Sequence, residues 1–150
     1  MSSQPVLFYE GPYYMFSNFS SFAVEIWERV WPTAEHAYQA AKFNDKAMWE
    51  SVFNARSPHE AKVIARAFDD RKRTNWSGLK LEVMEEILRA KLAQHEYIRK
   101  KLLDTGDRLI VEDSPTDNFW GGGPDDKGAN HLGKLWMKLR AELRAGTFVY

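Results

Sequence analysis

Short stretches of alternating apolar and polar residues mark the N-terminal part of the chain. Residues 6–9 predict a short strand, and Gly11-Pro12 ends it because glycine and proline interrupt regular structure. Residues 22–31 alternate in part, with apolar side chains spaced two apart on one side. This second stretch therefore predicts a strand or a tight hairpin.

Helical signals follow the predicted hairpin. Thr33 can cap a helix that runs to about Phe43, and residues 46–53 predict a second, short helix. Residues 57–60, with the sequence SPHE, start a third helix: the serine caps it, the proline suits its first position and the glutamate completes a capping box. We expect this helix to end near Phe68.

The remaining pattern is helical with one buried strand. Apolar residues at helical spacing predict a longer helix that contains Leu81, Met84, Ile87, Leu88 and Leu92. After it come a helix at 97–103 that ends at Gly106, a strand at 108–112, a glycine-rich loop at 118–133, and a last helix at about 130–144 that Gly146 stops. The pattern predicts a helix-rich α+β fold with a few short strands, in a single domain over residues 1–150.

Composition narrows the function classes. The 21 basic and 21 acidic residues give a formal net charge of zero, which argues against a strongly basic nucleic-acid coat but leaves room for a pocket that binds one nucleotide. Cysteine is absent, which excludes disulfides, zinc–thiolate sites and a cysteine nucleophile. No signal peptide or membrane-spanning run is predicted, so we expect a cytoplasmic protein with no membrane partner.

One polar line stands out on the helix after Trp31. Glu35, Gln39 and Lys42 differ by four and three positions, so they share a helix face, while much of the other side is alanine. If this face is buried, the carboxylate could activate water and the amine could bind phosphate or attack a sugar carbon. The alternative is a solvated face with an ordinary surface ion pair.

The histidines do not predict a metal site. His36 lies off the polar line, and it forms no paired-histidine or HExxH pattern with His59, His95 or His131. We therefore interpret His36 as structural and expect no metal.

The glycine-rich loop, residues 118–133, is a weaker signal. Four of its five glycines precede a helix start, where backbone can approach a ligand closely and an anion is favoured. The loop lacks the P-loop GK[ST] pattern and the strand–GxGxxG–helix unit of dinucleotide-binding proteins. Trp120 favours a stacking wall for a flat ligand, and a flexible surface loop is the alternative.

Two further clusters each allow a ligand-binding interpretation and a structural one. Residues 71–76 (RKRTNW) could bind a phosphate or carboxylate through arginine, or form a solvated loop with Trp76 packed inward. Residues 16–19 (FSNF) could form the lip of a pocket or a tucked loop, and their spacing does not decide between them.

Six segments match, in order, the motifs of one known family. They are FSNF (16–19), WPTAEHAYQAAKF (31–43), SPHEAKVIAR (57–66), RTNW (73–76), VMEEILRAKL (83–92) and WGGGPDDKGANHLGKLWMKLR (120–140). The blocks WPT-x-EH-x-x-Q-x-x-KF and WG-x-G-x(4)-G-x-N-x-LG are the specific ones. On these residues the chain resembles the NADAR (YbiA-like) family over most of its length.

The resemblance implies an N-glycosidase that acts on ribosyl groups without a cofactor. One branch of the family cleaves phosphoribosylamino-pyrimidine intermediates of riboflavin synthesis, and another removes ADP-ribose from guanine in nucleic acid. The resemblance further implies that the matched polar positions line a pocket for ribose phosphate or ADP-ribose. Carried over to this chain, those positions are Glu35, Gln39, Lys42, Trp76, Asp117, Trp120, Gly121 and Asn130.

The roles we predict follow from an oxocarbenium-like transition state, which needs a nearby negative charge and a nucleophile. Glu35 stabilises the anomeric carbon or activates the nucleophile, Lys42 holds phosphate or forms a Schiff base with the ring-opened ribose, and Asp117 is the alternative acid–base group. The predicted substrate-binding residues are Phe16, Ser17, Asn18, Gln39, Arg73, Trp76, Trp120, Gly121 and Asn130. The alternative function is a module that binds an ADP-ribose-like ligand without hydrolysis. Sequence does not predict the oligomeric state.

Overall fold

The computed structural model describes residues 3–150, which form two compact units. The central unit is Asn18–Gln94. The terminal unit combines the described residues up to Ser17 with His95–Tyr150. Each unit has its own two-stranded sheet and its own helices.

The central unit begins with an antiparallel hairpin, which confirms the hairpin predicted over residues 22–31. Strand β2 (Val24–Ile26) pairs with β3 (Arg29–Trp31). The two residues between them, Trp27 and Glu28, have φ angles of 54° and 63°. Positive φ at both positions is the geometry of a type I′ turn, whose twist matches that of the flanking strands.

Four α-helices and a 3-10 helix over Asp69–Arg71 complete the central unit, and two of the predicted caps are present. Thr33 accepts a hydrogen bond from the backbone N–H of His36, and Ser57 accepts one from that of Glu60. Pro58 occupies the first turn of its helix as predicted. The helices are α1 (Ala34–Ala41), α2 (Lys46–Phe53), α3 (Pro58–Ala67) and α4 (Trp76–Gln94).

Helix α1 lies inside the central unit. All eight of its residues are buried, and it packs against α2, α3 and α4. Its four alanines allow the neighbouring helices to approach closely, because a short side chain keeps the interaxial distance small. On α4, Met84, Ile87, Leu88 and Leu92 are buried as the spacing predicts, whereas Leu81 is exposed.

The terminal unit is built on a parallel strand pair. Strand β1 (Val6–Phe8) pairs with β4 (Ile110–Glu112), and α6 (His131–Ala145) packs on β4 and on α5 (Glu96–Asp104). A 3-10 helix over Gly11–Phe16 follows β1. Helix α6 ends at Gly146, whose φ of 73° is the left-handed C-cap that the sequence predicts.

Together these elements confirm the predicted helix-rich α+β fold with a few short strands. The strands are only three residues long each, so helices supply most of the buried surface. Within residues 3–150, no helix is both long and apolar enough to cross a membrane.

Candidate active site

The predicted polar line on α1 is buried. Glu35 and Gln39 are 7% and 3% exposed, and Gln39 Nε2 donates a hydrogen bond of 2.6 Å to Glu35 Oε2. This short contact, one turn apart on the helix, fixes the orientation of the carboxylate. The arrangement excludes the alternative of a solvated face, since a buried carboxylate loses the hydration that a surface residue keeps.

Asn18 joins the same cluster from the loop before the hairpin. The backbone N–H of Glu35 donates to the Asn18 carbonyl oxygen at 3.0 Å, and Asn18 Nδ2 donates to Met84 Sδ at 3.3 Å. Asn18 itself is buried. Its position is therefore set by α1 on one side and α4 on the other.

Lys42 is the C-cap residue of α1 and is half-buried. Its Nζ lies 5.5 Å from the centroid of the Tyr38 ring. Burial lowers the pKa of the Lys42 amine, and the carboxylates of Glu35 and Asp69 offset part of that effect. A larger fraction of this amine is therefore neutral near pH 7 than for a surface lysine, which is what nucleophilic attack requires.

Arg73 is tied to Lys42 through the backbone. Its N–H donates to the Lys42 carbonyl oxygen at 2.8 Å. We call Asn18, Glu35, Gln39, Lys42 and Arg73 the polar cluster. All five residues belong to the central unit.

Three buried atoms of the polar cluster have no hydrogen-bond partner. Within residues 3–150 these are Asn18 Oδ1, Gln39 Oε1 and Arg73 Nε. Buried polar atoms are nearly always paired, because an unpaired one loses its hydration without compensation. Two acceptors and one donor are thus available in the cluster for a polar ligand.

An aromatic wall stands beside Lys42. Trp76, a predicted site residue, is 5% exposed, and its ring centroid lies 5.4 Å from that of Tyr38 at an interplanar angle of 55°. Sequence reasoning missed Tyr38. The available signal was its spacing, four residues before Lys42, which places the two side chains on neighbouring turns.

His36 has a structural role, as we interpreted it from the sequence. Its Nδ1 accepts from the Thr33 hydroxyl at 2.8 Å, and its Nε2 donates to the Ala55 carbonyl oxygen at 3.0 Å. Burial lowers the pKa of the His36 ring. Among the described residues, no group of three or more His, Cys, Asp or Glu side chains is placed to hold a metal ion.

The glycine-rich loop belongs to the terminal unit and makes most of its polar contacts to itself. Asp117, just before it, accepts backbone hydrogen bonds from Phe119 at 2.9 Å and Trp120 at 2.8 Å through one carboxylate oxygen. Trp120 is half-buried and packs edge-on against Phe119. A Cβ on Gly121 would lie 2.6 Å from the Glu112 carbonyl oxygen, so a close backbone approach requires glycine there.

Asn130 connects this loop to the sheet. Its Oδ1 accepts from the backbone N–H of Glu112 at 3.0 Å, and its Nδ2 donates to the Ile110 carbonyl oxygen at 2.9 Å. The side chain thus pairs with β4 as another strand would. Its backbone is left-handed, with φ of 54°.

Phe16 and Ser17 also lie in the terminal unit. The Phe16 ring is fully buried and packs against Phe8 and Trp136, whose indole N–H donates to the Phe16 carbonyl oxygen at 3.1 Å. Ser17 is 8% exposed. The structure therefore groups Asn18, Glu35, Gln39, Lys42, Arg73 and Trp76 in one unit, and Phe16, Ser17, Asp117, Trp120, Gly121 and Asn130 in the other.

Comparison with known proteins finds relatives that match most of the chain. The chain is 43% identical over 136 residues to the N-glycosidase Npun_R5314 of Nostoc punctiforme, covering 89% of this chain and 87% of that protein. It is 40% identical over 128 residues to the N-glycosidase YbiA of Escherichia coli, covering 85% of this chain and 80% of that protein. The NMR structure of E. coli YbiA matches 100% of this chain and 90% of its own, with a TM-score of 0.88 and 36% identity.

A third relative carries a different name. The riboflavin biosynthesis protein VVA0006 of Vibrio vulnificus is 36% identical over 143 residues, covering 94% of this chain but 39% of that longer protein. With relatives named as N-glycosidases at 40–43% identity, the enzyme class predicted from the sequence is confirmed as N-glycosidase. The NADAR domain profile matches residues 7–144, so the chain belongs to the NADAR domain family.

Proposed function

We propose that the polar cluster hydrolyses the N-glycosidic bond of a ribosyl phosphate attached to a heterocyclic amine or base. The observation that carries this proposal is the set of unpaired buried atoms on Asn18, Gln39 and Arg73. Ribose hydroxyls donate hydrogen bonds, which suits the two amide oxygens. A phosphate oxygen accepts one, which suits the guanidinium Nε.

The bond cleaved is the one between C1′ of the ribose and the leaving nitrogen. The bonding electron pair goes to that nitrogen, which takes up a proton, and C1′ becomes oxocarbenium-like. The Glu35 carboxylate, held by Gln39 at 2.6 Å, offers the negative charge that this state requires. Water finally supplies the oxygen on C1′, so the products are the free amine or base and the free ribose phosphate.

Lys42 gives this reaction a covalent route. Its neutral amine would displace the leaving nitrogen at C1′, ring opening would form an imine, and water would hydrolyse the imine and release the lysine. The lowered pKa of Lys42 favours the uncharged amine that this route uses. Direct attack by water, with Lys42 holding the phosphate, is the competing route.

The name of the Vibrio vulnificus relative supports a phosphoribosylamino-pyrimidine as the substrate. The same cluster would accept the ribose of ADP-ribosyl guanine in nucleic acid, which makes that linkage the second candidate substrate. In both substrates a phosphorylated ribose is joined to nitrogen, so both need the same donors and acceptors around the sugar.

The test is a hydrolysis assay with both substrates, on the wild type and on Glu35→Gln. We expect turnover to fall about 10²- to 10⁴-fold in this variant, the usual contribution of a positioned carboxylate, with unchanged thermal melting. Glu82→Gln on the exposed side of α4 is the matched control and should keep full activity. Retained activity in Glu35→Gln would remove Glu35 from the mechanism.

The same assay separates an enzyme from a binding module. If either ligand raises the melting temperature of the wild type but no free base or amine is released, the protein binds without hydrolysis. Reduction with cyanoborohydride during turnover then distinguishes the two chemical routes. The covalent route predicts a ribosyl adduct on the peptide that contains Lys42, whereas the water route predicts none.

A further inference from the structure

A second groove lies in the central unit between the tip of the hairpin and the start of α2. Its volume is about 560 Å³, within the range of small-molecule sites. None of the polar cluster lines it. The lining residues are Trp27, Glu28, Arg29, Asn44, Lys46 and Trp49.

Two half-buried indoles form the wall of this groove. The centroids of Trp27 and Trp49 are 5.7 Å apart, with an interplanar angle of 55°. Trp27 donates its indole N–H to Glu86 Oε1 at 3.0 Å, and Trp49 donates its own to the Phe43 carbonyl oxygen at 2.8 Å. Both rings are therefore held in place by the protein, and a flat ligand can stack on one of them and meet the other edge-on with little loss of side-chain freedom.

The rim of the groove is polar and carries a cation. Asn44 and Lys46 are exposed, so their carboxamide and ammonium groups can reach a ligand. Arg29 is held behind them by its ion pair with Glu50 and by the faces of nearby aromatic rings. A carboxamide can pair with the edge of a base, and an ammonium binds phosphate.

The backbone at the hairpin tip is a separate observation that points to the same place. Trp27 and Glu28 adopt φ of 54° and 63°, a conformation that glycine, asparagine or aspartate takes with less strain. Folding alone would favour Asn-Gly at these two positions. Instead Trp27 occupies one of these strained positions, and its ring lies against Trp49. Such strain is typical of binding sites.

We propose that this groove binds one nucleotide, with its base stacked on the Trp27 ring and edge-on to Trp49, its base edge at Asn44 and its phosphate at Lys46. This site is additional to the polar cluster and does not depend on hydrolysis. The nucleotide can be free or part of a single strand, because both present the same base and phosphate.

The experiment follows the Trp27 and Trp49 indole N–H signals by NMR during two titrations, one with adenosine 5′-monophosphate and one with an oligodeoxynucleotide of about eight nucleotides. Excess ribose 5-phosphate is present throughout to occupy the polar cluster. We expect saturable shifts of both indole signals. Shifts with the mononucleotide identify a free nucleotide as sufficient, and shifts only with the oligonucleotide identify a single strand as the source.

Variants then test whether the groove is responsible. Trp27→Gly suits the positive φ and should weaken binding about 5- to 150-fold, the loss expected for one stacked base. Lys46→Ala should weaken it several-fold. Lys100→Ala, the matched control, removes an exposed lysine that does not line the groove and should bind as tightly as the wild type.

Three results would overturn the proposal. They are the absence of saturable binding with both probes, indole shifts that occur elsewhere than at Trp27 and Trp49, and binding that Trp27→Gly leaves unchanged. The wild-type titration decides the first two even if a variant fails to fold. Loss of hydrolysis in Glu35→Gln bears only on the polar cluster, so the two proposals fail separately.

Discussion

The polar cluster and the glycine-rich loop differ in whether their polar side-chain atoms have hydrogen-bond partners. In the cluster, buried atoms of Asn18, Gln39 and Arg73 lack partners. In the loop the Asn130 carboxamide, and just before the loop the Asp117 carboxylate, bond to backbone groups of the terminal unit. Both regions carry specific family motifs, yet these two side chains of the terminal unit bond to local backbone. A family motif can therefore contain a particular residue because its side chain stabilises the backbone, and not because it binds a ligand.

The largest expected effect comes from a substitution in the polar cluster that keeps the positive charge at position 42. Lys42→Arg keeps a cation but removes the nucleophilic amine, so the covalent route predicts a loss of kcat of about 10³-fold or more. Because burial lowers the pKa of Lys42, wild-type kcat should rise with pH below the usual lysine range as the amine loses its proton. A rate profile across pH, in which this rise is absent from Lys42→Arg, is the measurement; a preserved rise assigns it to another group.

The second-largest expected effect is a loss of stability caused by a substitution in the glycine-rich loop. Asn130→Ala removes two hydrogen bonds to β4 and places alanine at a left-handed backbone position, at a cost of about 2–3 kcal/mol. Thermal melting should fall by roughly 5–10 °C. Asn118→Ala, at an exposed position of the same loop, is the control. Equal melting of the two variants would mean that the Asn130 contacts contribute nothing to stability.

A third prediction compares two lysines of the central unit. Lys42 is half-buried, whereas Lys91 is fully buried, donates to the Ser20 hydroxyl at 3.1 Å, and has its pKa lowered by burial to about 7. Between pH 7 and the usual lysine pKa, the unfolded chain binds a proton at this position that the folded chain does not. The contribution of Lys91 to stability therefore rises with pH across that range.

Lys91→Met should remove this pH dependence. Below pH 7 the variant should be more stable than the wild type by up to about 5 kcal/mol, since burying the charged ammonium, which lowers its pKa from 10.5 to about 7, costs the folded wild type that much. The advantage should shrink as the pH approaches 10. Melting curves at several pH values test this, and a constant difference would show that the lysine pKa is not lowered.

The smallest effect concerns the hairpin tip. Glu28→Gly relieves a positive φ, so we expect stabilisation of at most about 1 kcal/mol, because glycine also gains entropy in the unfolded chain. Glu25→Gly, in the extended backbone of β2, should destabilise instead. Denaturant unfolding measures the sign of the change in unfolding free energy for each variant. Destabilisation by both would show that the turn carries no strain.

Local signals predicted the elements well. Lys46–Phe53 is a helix at the predicted boundaries, and the caps at Thr33 and Ser57 are present. Their prediction succeeds because a cap depends on residues only three positions apart. Boundaries that depend on packing are less exact: α1 stops at Ala41 rather than near Phe43, and Leu81 is exposed although it follows the apolar spacing.

The candidate site was predictable in part. Helical spacing placed Glu35 and Gln39 on one face, and the structure adds that this face is buried. Sequence reasoning missed Tyr38, although its spacing from Lys42 was a signal, and spacing gave no sign that Trp27 is a partner of Trp49. The roles predicted for Phe16, Ser17, Asp117, Trp120, Gly121 and Asn130 in substrate binding stay predictions.

By itself, the sequence determined the family, the helix-rich α+β class, the capped helix starts and the alignment of the α1 polar residues, because each depends on motifs or on neighbours within a few positions. Only the tertiary structure decided which polar atoms remain unpaired. The contacts of Asn18 with Met84 and of Lys91 with Ser20 join residues 66 and 71 positions apart. Chain folding, not local spacing, brings such groups together, and so it alone decides which buried polar groups find partners.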